Sequence, residues 1–297
     1  MTSPISKPGA IRVVAISALA ALVAGCASAS SPPPSPRQTE THNPAPSTSV
    51  PTVAPVEVTP EPTSQPDRNP SAFVKDAPYS VAIDPAAFSS TITNHLFPLE
   101  PGTTWTYDGG GEHIVVTVTG QTRVIAGVTT LVVHDQAFEG DELVEDTEDY
   151  YAQDPAGNVW YFGEVTGECD GRTVTSRHGS WEAHVDGAQP GVVMLAQPRI
   201  GDVYRQEYLA GEAEDQATIL QLDGIVTGPT GDYVDVLVTE DVTPLEPDLL
   251  EHKSYARGVG VVQEETLSGD GGVLKLTEVR AGNAASPSAS PFSPCQG

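Results

Sequence analysis

Apolar and polar residues alternate with a period of two along much of the chain. In residues 113–119, the apolar residues Ile114, Val116 and Val118 would lie on one face of an extended strand. This period is typical of a half-buried β-strand, whereas apolar positions in an amphipathic helix recur about every 3.6 residues. Alternating or β-branched runs predict further strands at 128–133, 158–164, 172–175, 203–209, 217–225, 233–239, 250–256, 259–266 and 273–279.

Turn-forming clusters that contain glycine separate these runs. They stand at 108–111, 126–127, 154–158, 257–258 and 268–272. Short strands joined by close turns are typical of antiparallel sheets. We therefore predict an all-β fold, a single antiparallel meander domain of about 10–13 strands, arranged as a barrel, a half-barrel or a sandwich. Short helices are expected near 84–90 and 211–216.

The start of the chain has the pattern of an export signal. Lys7 and Arg12 precede an apolar run at 13–24, which is too short to span a membrane. Small residues at 23–25 then lead into Cys26, which resembles the lipobox of bacterial lipoproteins. The resemblance implies cleavage before Cys26, lipidation of its thiol and attachment to the outer face of the cell membrane. The alternative is an ordinary secretory signal in which Cys26 is incidental.

Composition divides the chain into four parts. A lipoprotein signal peptide is expected at 1–25, a Pro/Ser/Thr-rich disordered spacer at 26–75, an acidic all-β domain at 76–281 and a disordered tail at 282–297. The spacer has 12 prolines in residues 27–75 and almost no large apolar side chain, so it cannot form a core. It would hold the domain away from the membrane.

The chain is strongly acidic. It has 40 Asp and Glu against 14 Lys and Arg, a formal net charge of −26. Proteins that bind nucleic acid place basic residues against the phosphates, so we expect no nucleic-acid partner.

Four segments of the domain resemble a family of mostly actinobacterial exported proteins. They are NHLFPLEPGTTWTY at 94–107, WYFGE at 160–164, GSWEA at 179–183 and YRQEY at 204–208. The resemblance implies export and one domain over most of 94–264. It implies no activity and no catalytic residue.

An acidic run at 139–149 is the first candidate site. Seven of its eleven residues are Asp or Glu, and on a strand Glu142, Asp146 and Glu148 would share one side. Calcium outside the cell prefers six to eight oxygen ligands, so calcium binding is chemically possible. The spacing differs from that of an EF-hand loop. The alternative is a solvated edge strand or hairpin whose charges prevent further pairing.

A second candidate lies at 178–184. On a strand Glu182 and His184 would share a face, and His178 could join them. Imidazole and carboxylate groups suit zinc or a similar ion. The alternative is a polar surface strand without a metal.

A third candidate combines acids with aromatic residues. The acids are Glu207, Glu212, Glu214 and Asp215, and the tryptophans are Trp105, Trp160 and Trp181. Two facing carboxylates could cleave a glycoside, and aromatic rings could stack on a sugar. The alternative is that the aromatic residues belong to the core.

Two cysteines remain if Cys26 is lipidated. Cys169 and Cys295 could form a disulfide outside the cell, or stay as free thiols.

The leading hypothesis is a membrane-tethered binding domain rather than an enzyme. Its ligand would be a lipid or another small apolar molecule. The alternatives are an extracellular hydrolase of glycans or esters that uses acids such as Glu182 or Glu207, and a protein-interaction module of the cell envelope.

Overall fold

The computed structural model describes residues 79–268, 272–282 and 292–296. The expected signal peptide, Cys26 and the spacer lie outside these residues. In the part of the chain that is described, no helix is long and apolar enough to cross a membrane.

The described residues form fifteen β-strands and a short 3-10 helix, Pro85–Ala87. The strands are β1 (Thr104–Gly109), β2 (Glu112–Ile125), β3 (Val128–Glu139), β4 (Glu142–Gln153), β5 (Val159–Asp170), β6 (Thr173–Ser176), β7 (Trp181–Glu182), β8 (Gln189–Met194), β9 (Val203–Arg205), β10 (Glu207–Tyr208), β11 (Gln216–Gly228), β12 (Gly231–Thr243), β13 (Glu246–Ala256), β14 (Gly260–Thr266) and β15 (Val273–Arg280).

All fifteen strands join one antiparallel sheet, which confirms the predicted fold class. Strands β1 to β5 form one meander and strands β11 to β15 form another. The two meanders meet where the first strand pairs with the last, with Trp105 opposite Val279 and Tyr107 opposite Leu276. This long-range pairing brings residues from both ends of the domain to one place.

The two ends of the sheet are held together by the chain itself. The strand order begins with β10 and ends with β9, and one residue, Gln206, connects these two strands. The sheet must therefore curve until its ends approach each other, although no ladder closes it. Gly191 on β8 permits this approach, because a Cβ atom there would overlap the carbonyl group of Gln206.

The alternation in the sequence sorts residues between the two faces of the sheet. Ile114, Val116 and Val118 are fully buried on the inner face. Polar residues share that face, since Asp135 lies opposite Val116 and Asp149 lies opposite Val133. The core of the domain is therefore only partly apolar.

The helix near 84–90 is reduced to the 3-10 helix, which Asp84 caps by accepting a hydrogen bond from the Ala86 amide. The prediction of a helix near 211–216 is wrong. Leu209 forms a β-bridge with Ala213 there, and the Glu214 carboxylate accepts the Gly211 amide, so these groups do not enter a helical ladder.

Candidate functional site

An open groove of about 560 Å³ lies where the two meanders meet. We call it the Trp105 groove. Its lining comes from the segment before β1, from β1 and β15, from the β11–β12 turn with the start of β12, and from the β13–β14 turn. The lining residues are Pro98, Glu100, Thr103, Trp105, Pro229, Thr230, Tyr233, Gly258, Val259, Thr277, Glu278 and Val279.

Side-chain hydrogen bonds fix the walls of the Trp105 groove. The indole N–H of Trp105 donates to the carbonyl oxygen of Val259 at 2.8 Å, which attaches the β13–β14 turn to β1. The Tyr233 hydroxyl donates to Thr230 Oγ1 at 2.8 Å, and Thr230 donates in turn to the Leu276 carbonyl at 3.3 Å. The tip of the β11–β12 hairpin is thereby fastened to β15.

The lining of the Trp105 groove is mixed in chemistry. Trp105, Val259 and Val279 supply apolar surface, and Glu100 and Glu278 supply carboxylates. No described lysine or arginine lines it. Glu278 accepts a hydrogen bond from Arg280 at 2.7 Å, but both side chains are largely exposed, so this ion pair contributes little. The groove therefore suits an apolar body that carries hydroxyl or ammonium groups.

A second groove, of about 210 Å³, lies beside the first. We call it the Arg257 groove. Residues 93–96 and the β13–β14 turn separate the two, because His95 and Arg257 line the second groove while Pro98 and Gly258 line the first. The other residues that line it are Thr93, Asn94, Leu96, Gln153, Ala156, Gly157, Ala196 and Pro198.

Several carboxylates are buried between the two meanders. Glu207 accepts a hydrogen bond from the Trp181 indole at 2.8 Å, and Asp149 accepts one from the Tyr161 hydroxyl at 2.8 Å. Burial and the neighbouring charge of Glu207 hold the pKa of Glu164 well above its ordinary value. Burial and the nearby Asp215 do the same to the pKa of Glu207. Both shifts favour the protonated forms of Glu164 and Glu207.

In another part of the interior, a buried lysine lies beside two of the buried carboxylates. The ammonium group of Lys253 lies 3.5 Å from Asp241 and 3.8 Å from Glu264. The Gln206 side chain donates to Asp241 at 3.2 Å, so the residue that connects the two ends of the sheet also bonds into this cluster. Neither groove is lined by any of these buried groups.

The acids and tryptophans of the third candidate are divided. Glu207 and Trp181 meet in the interior, whereas Glu212 and Glu214 are in the turn after β10, with Glu212 3.5 Å from His178. Trp160 is buried and donates to Asp154 at 2.9 Å. Trp105 alone among the three tryptophans lines a groove.

The acidic run is not an edge strand. It runs from the end of β3 through the turn into β4, which pairs with β3 on one side and β5 on the other. Asp146 is buried and accepts hydrogen bonds from His134 at 2.7 Å and from the Cys295 amide at 2.7 Å. The edge-strand alternative is therefore wrong, because β4 is paired on both sides, but residues 139–142 do form an exposed hairpin turn.

The six residues weighed as metal ligands are dispersed among other contacts. Glu182 pairs with Arg123 at 2.6 Å, and Glu148 accepts from Tyr150 at 3.2 Å. Glu142 is exposed at the start of β4, and His184 occupies a left-handed turn position with φ of 69°. In the described ranges, no three His, Cys, Asp or Glu side chains are grouped as metal ligands.

The last described residues lie against strands β3 to β5. Cys295 forms a disulfide with Cys169 across a sequence separation of 126 residues. Pro294 packs on Gly167, and the Phe292 ring meets His134 with 5.5 Å between ring centres. Composition alone places residues 292–296 in the disordered tail. It cannot show that Cys295 is covalently bonded to Cys169 on β5.

Sequence reasoning missed most of the groove residues. Glu278, Tyr233 and Arg257 stand alone in their segments and form no motif. The one available signal was segment 94–107, which contributes His95 to one groove and Trp105 to the other.

Comparisons with known proteins add little to this picture. No family model and no curated protein matches the chain. A solved chain from Bacteroides fragilis NCTC 9343, provisionally described as an exported protein with a YmcC-like fold, is 14% identical, with 63% of this chain and 100% of that chain covered and a TM-score of 0.38. A chain from Parabacteroides distasonis ATCC 8503, provisionally described as a lipoprotein, is 11% identical, with 63% and 99% covered and a TM-score of 0.35. Similarity at this level carries no argument about function.

Proposed function

We propose that this protein is a lipid-anchored, extracytoplasmic binding protein that takes a small amphipathic molecule into the Trp105 groove. The observation that carries the proposal is the groove itself, which is open and has a volume of about 560 Å³. Ligand sites generally have volumes of roughly 300–1,000 Å³ and combine apolar walls with a few polar groups.

The anchor and the location rest on two independent features. The segment before Cys26 resembles a lipobox, and the Cys169–Cys295 disulfide suits an oxidising compartment. A proline-rich spacer would present the domain at a distance from the membrane.

The lining narrows the ligand class. A purely apolar ligand would bury the carboxylates of Glu100 and Glu278 away from water, which is unfavourable. A ligand with an apolar body and hydroxyl or ammonium groups would satisfy them. Tyr233 and the exposed Val279 would contact its apolar part.

Native mass spectrometry of the full chain, purified gently from an exporting host, tests the proposal. Val279→Arg places a bulky charge at an exposed position of the groove, and Val124→Arg makes the same change at an exposed position outside it. We expect extra mass from a bound molecule in the natural chain and in Val124→Arg, and its loss in Val279→Arg. Equal retention in both variants, or no bound molecule in any of the three, would count against the Trp105 groove.

A further inference from the structure

The Arg257 groove carries positive charge in a strongly acidic chain. Elsewhere Arg123, Lys253 and Arg280 each lie within ion-pair distance of a carboxylate. Arg257 is exposed, and no described acidic side chain pairs with it or lines its groove. In a chain with a net charge of −26, the Arg257 groove therefore holds a cation that no lining carboxylate neutralises.

Inside the groove, the side-chain oxygens of Gln153 and Asn94 already accept hydrogen bonds from backbone amides, whereas several side-chain donors stay available. The side-chain oxygen of Gln153 accepts hydrogen bonds from the backbone amides of Thr93 and Asn94, at 2.8 and 3.0 Å. The Asn94 side-chain oxygen accepts the Leu96 amide at 2.9 Å. Gln153 donates to Thr93 Oγ1 at 3.0 Å, which leaves the Thr93 hydroxyl proton available. Among the lining side chains, this proton, the His95 ring and the Arg257 guanidinium are polar groups that can contact a ligand.

The backbone holds the two basic residues side by side. The Gly258 amide donates to the His95 carbonyl oxygen at 2.7 Å, and the Val259 amide donates to Ala256 at 3.1 Å to close the turn. Asn94 also donates to the carbonyl oxygens of Gly157 and Leu195, at 3.0 and 3.2 Å. The groove is therefore built before any ligand arrives.

From this arrangement we infer that the Arg257 groove binds a small oxyanion, the carboxylate or phosphate group of a ligand. A guanidinium group presents paired donors that match two oxygens of such an anion. The volume of about 210 Å³ suits one anionic group rather than a whole drug-sized molecule. The inference is independent of the ligand proposed for the Trp105 groove.

Isothermal titration calorimetry on the full chain tests the site. Sodium phosphate and sodium acetate are the two probes, at a constant ionic strength set with sodium chloride. The variants are Arg257→Gln and Arg177→Gln, which remove the same charge inside and outside the groove, and His95→Gln. Circular dichroism confirms that each variant is folded.

We expect saturable binding of at least one anion by the natural chain and by Arg177→Gln. Arg257→Gln should weaken it by roughly tenfold or more, because a charged hydrogen-bond donor is lost. His95→Gln should weaken it less. Binding of phosphate alone, of acetate alone or of both then identifies the anion class. Absence of saturable binding, or equal weakening by Arg257→Gln and Arg177→Gln, would overturn the inference.

Discussion

Because burial raises the pKa values of several carboxyl groups, we expect the protein to lose stability as the pH rises from 5 to 7.5. Burial raises the pKa of Asp215 to about 8, although the Lys253 charge acts in the opposite direction. In the unfolded chain an aspartate has its ordinary pKa, near 4. Between these values Asp215 is protonated in the folded state and ionised in the unfolded state. The unfolded state then binds fewer protons, so the free energy of unfolding falls with pH.

The size of the effect follows from this difference. One such group contributes stability that is complete below about pH 4 and is lost as the pH rises through about 8, with a slope of about 1.4 kcal/mol per pH unit. Between pH 5 and 7.5, Asp215 alone should lower the free energy of unfolding by roughly 3 kcal/mol. Glu164 and Glu207, whose pKa values burial also raises, act in the same direction.

Urea denaturation at pH 5, 6, 7 and 7.5 measures this dependence. The fluorescence of the buried Trp105, Trp160 and Trp181 reports unfolding. Asp215→Asn cannot ionise and should reduce the slope by about 1.4 kcal/mol per pH unit. Asp223→Asn, at an exposed position of β11, is the matched control and should leave the slope unchanged. The reasoning is refuted if stability is level or rises over this range, or if Asp215→Asn keeps the natural slope.

Three further substitutions test the fold and the anchor. Gly191→Ala should destabilise the domain by about 1–3 kcal/mol, because its Cβ would overlap the Gln206 backbone, whereas Gly272→Ala should change little; urea denaturation of both variants decides this. Cys295→Ser should cost about 4–5 kcal/mol in the chain-entropy model, because it opens a long covalent loop, and an unchanged denaturation midpoint would contradict that role. Cys26→Ala should release the protein from membranes or block its processing; unaltered processing and membrane fractionation would exclude the proposed anchor.

The fold class could be predicted because strand patterning is local. Ile114, Val116 and Val118 are two residues apart, so they lie on one face whatever pairs with them. They are completely buried because that common face is the inner face of the sheet. The pairing of β1 with β15, which forms the Trp105 groove, could not be predicted in this way, because no local pattern records which distant strands become neighbours.

The acidic run shows the limit of sequence reasoning most clearly. Its charges indicated a solvated edge strand or hairpin, but Asp146 is buried and accepts a hydrogen bond from the Cys295 amide. A carboxylate is stable in that position because it accepts hydrogen bonds from His134 and from the Cys295 amide. Both partners come from other parts of the chain.

The sequence by itself determined the all-β class, the acidic charge and the segment 94–107 that contributes to both grooves. Only the tertiary structure decided that Arg257 lies beside His95, and that Glu207 lies beneath Trp181 instead of facing solvent. The physical reason is that alternation along a strand determines which residues share a face of the sheet, but not which other residues pack against that face. Burial, ion pairing and pKa shifts depend on that cover, which comes from residues far away in the sequence.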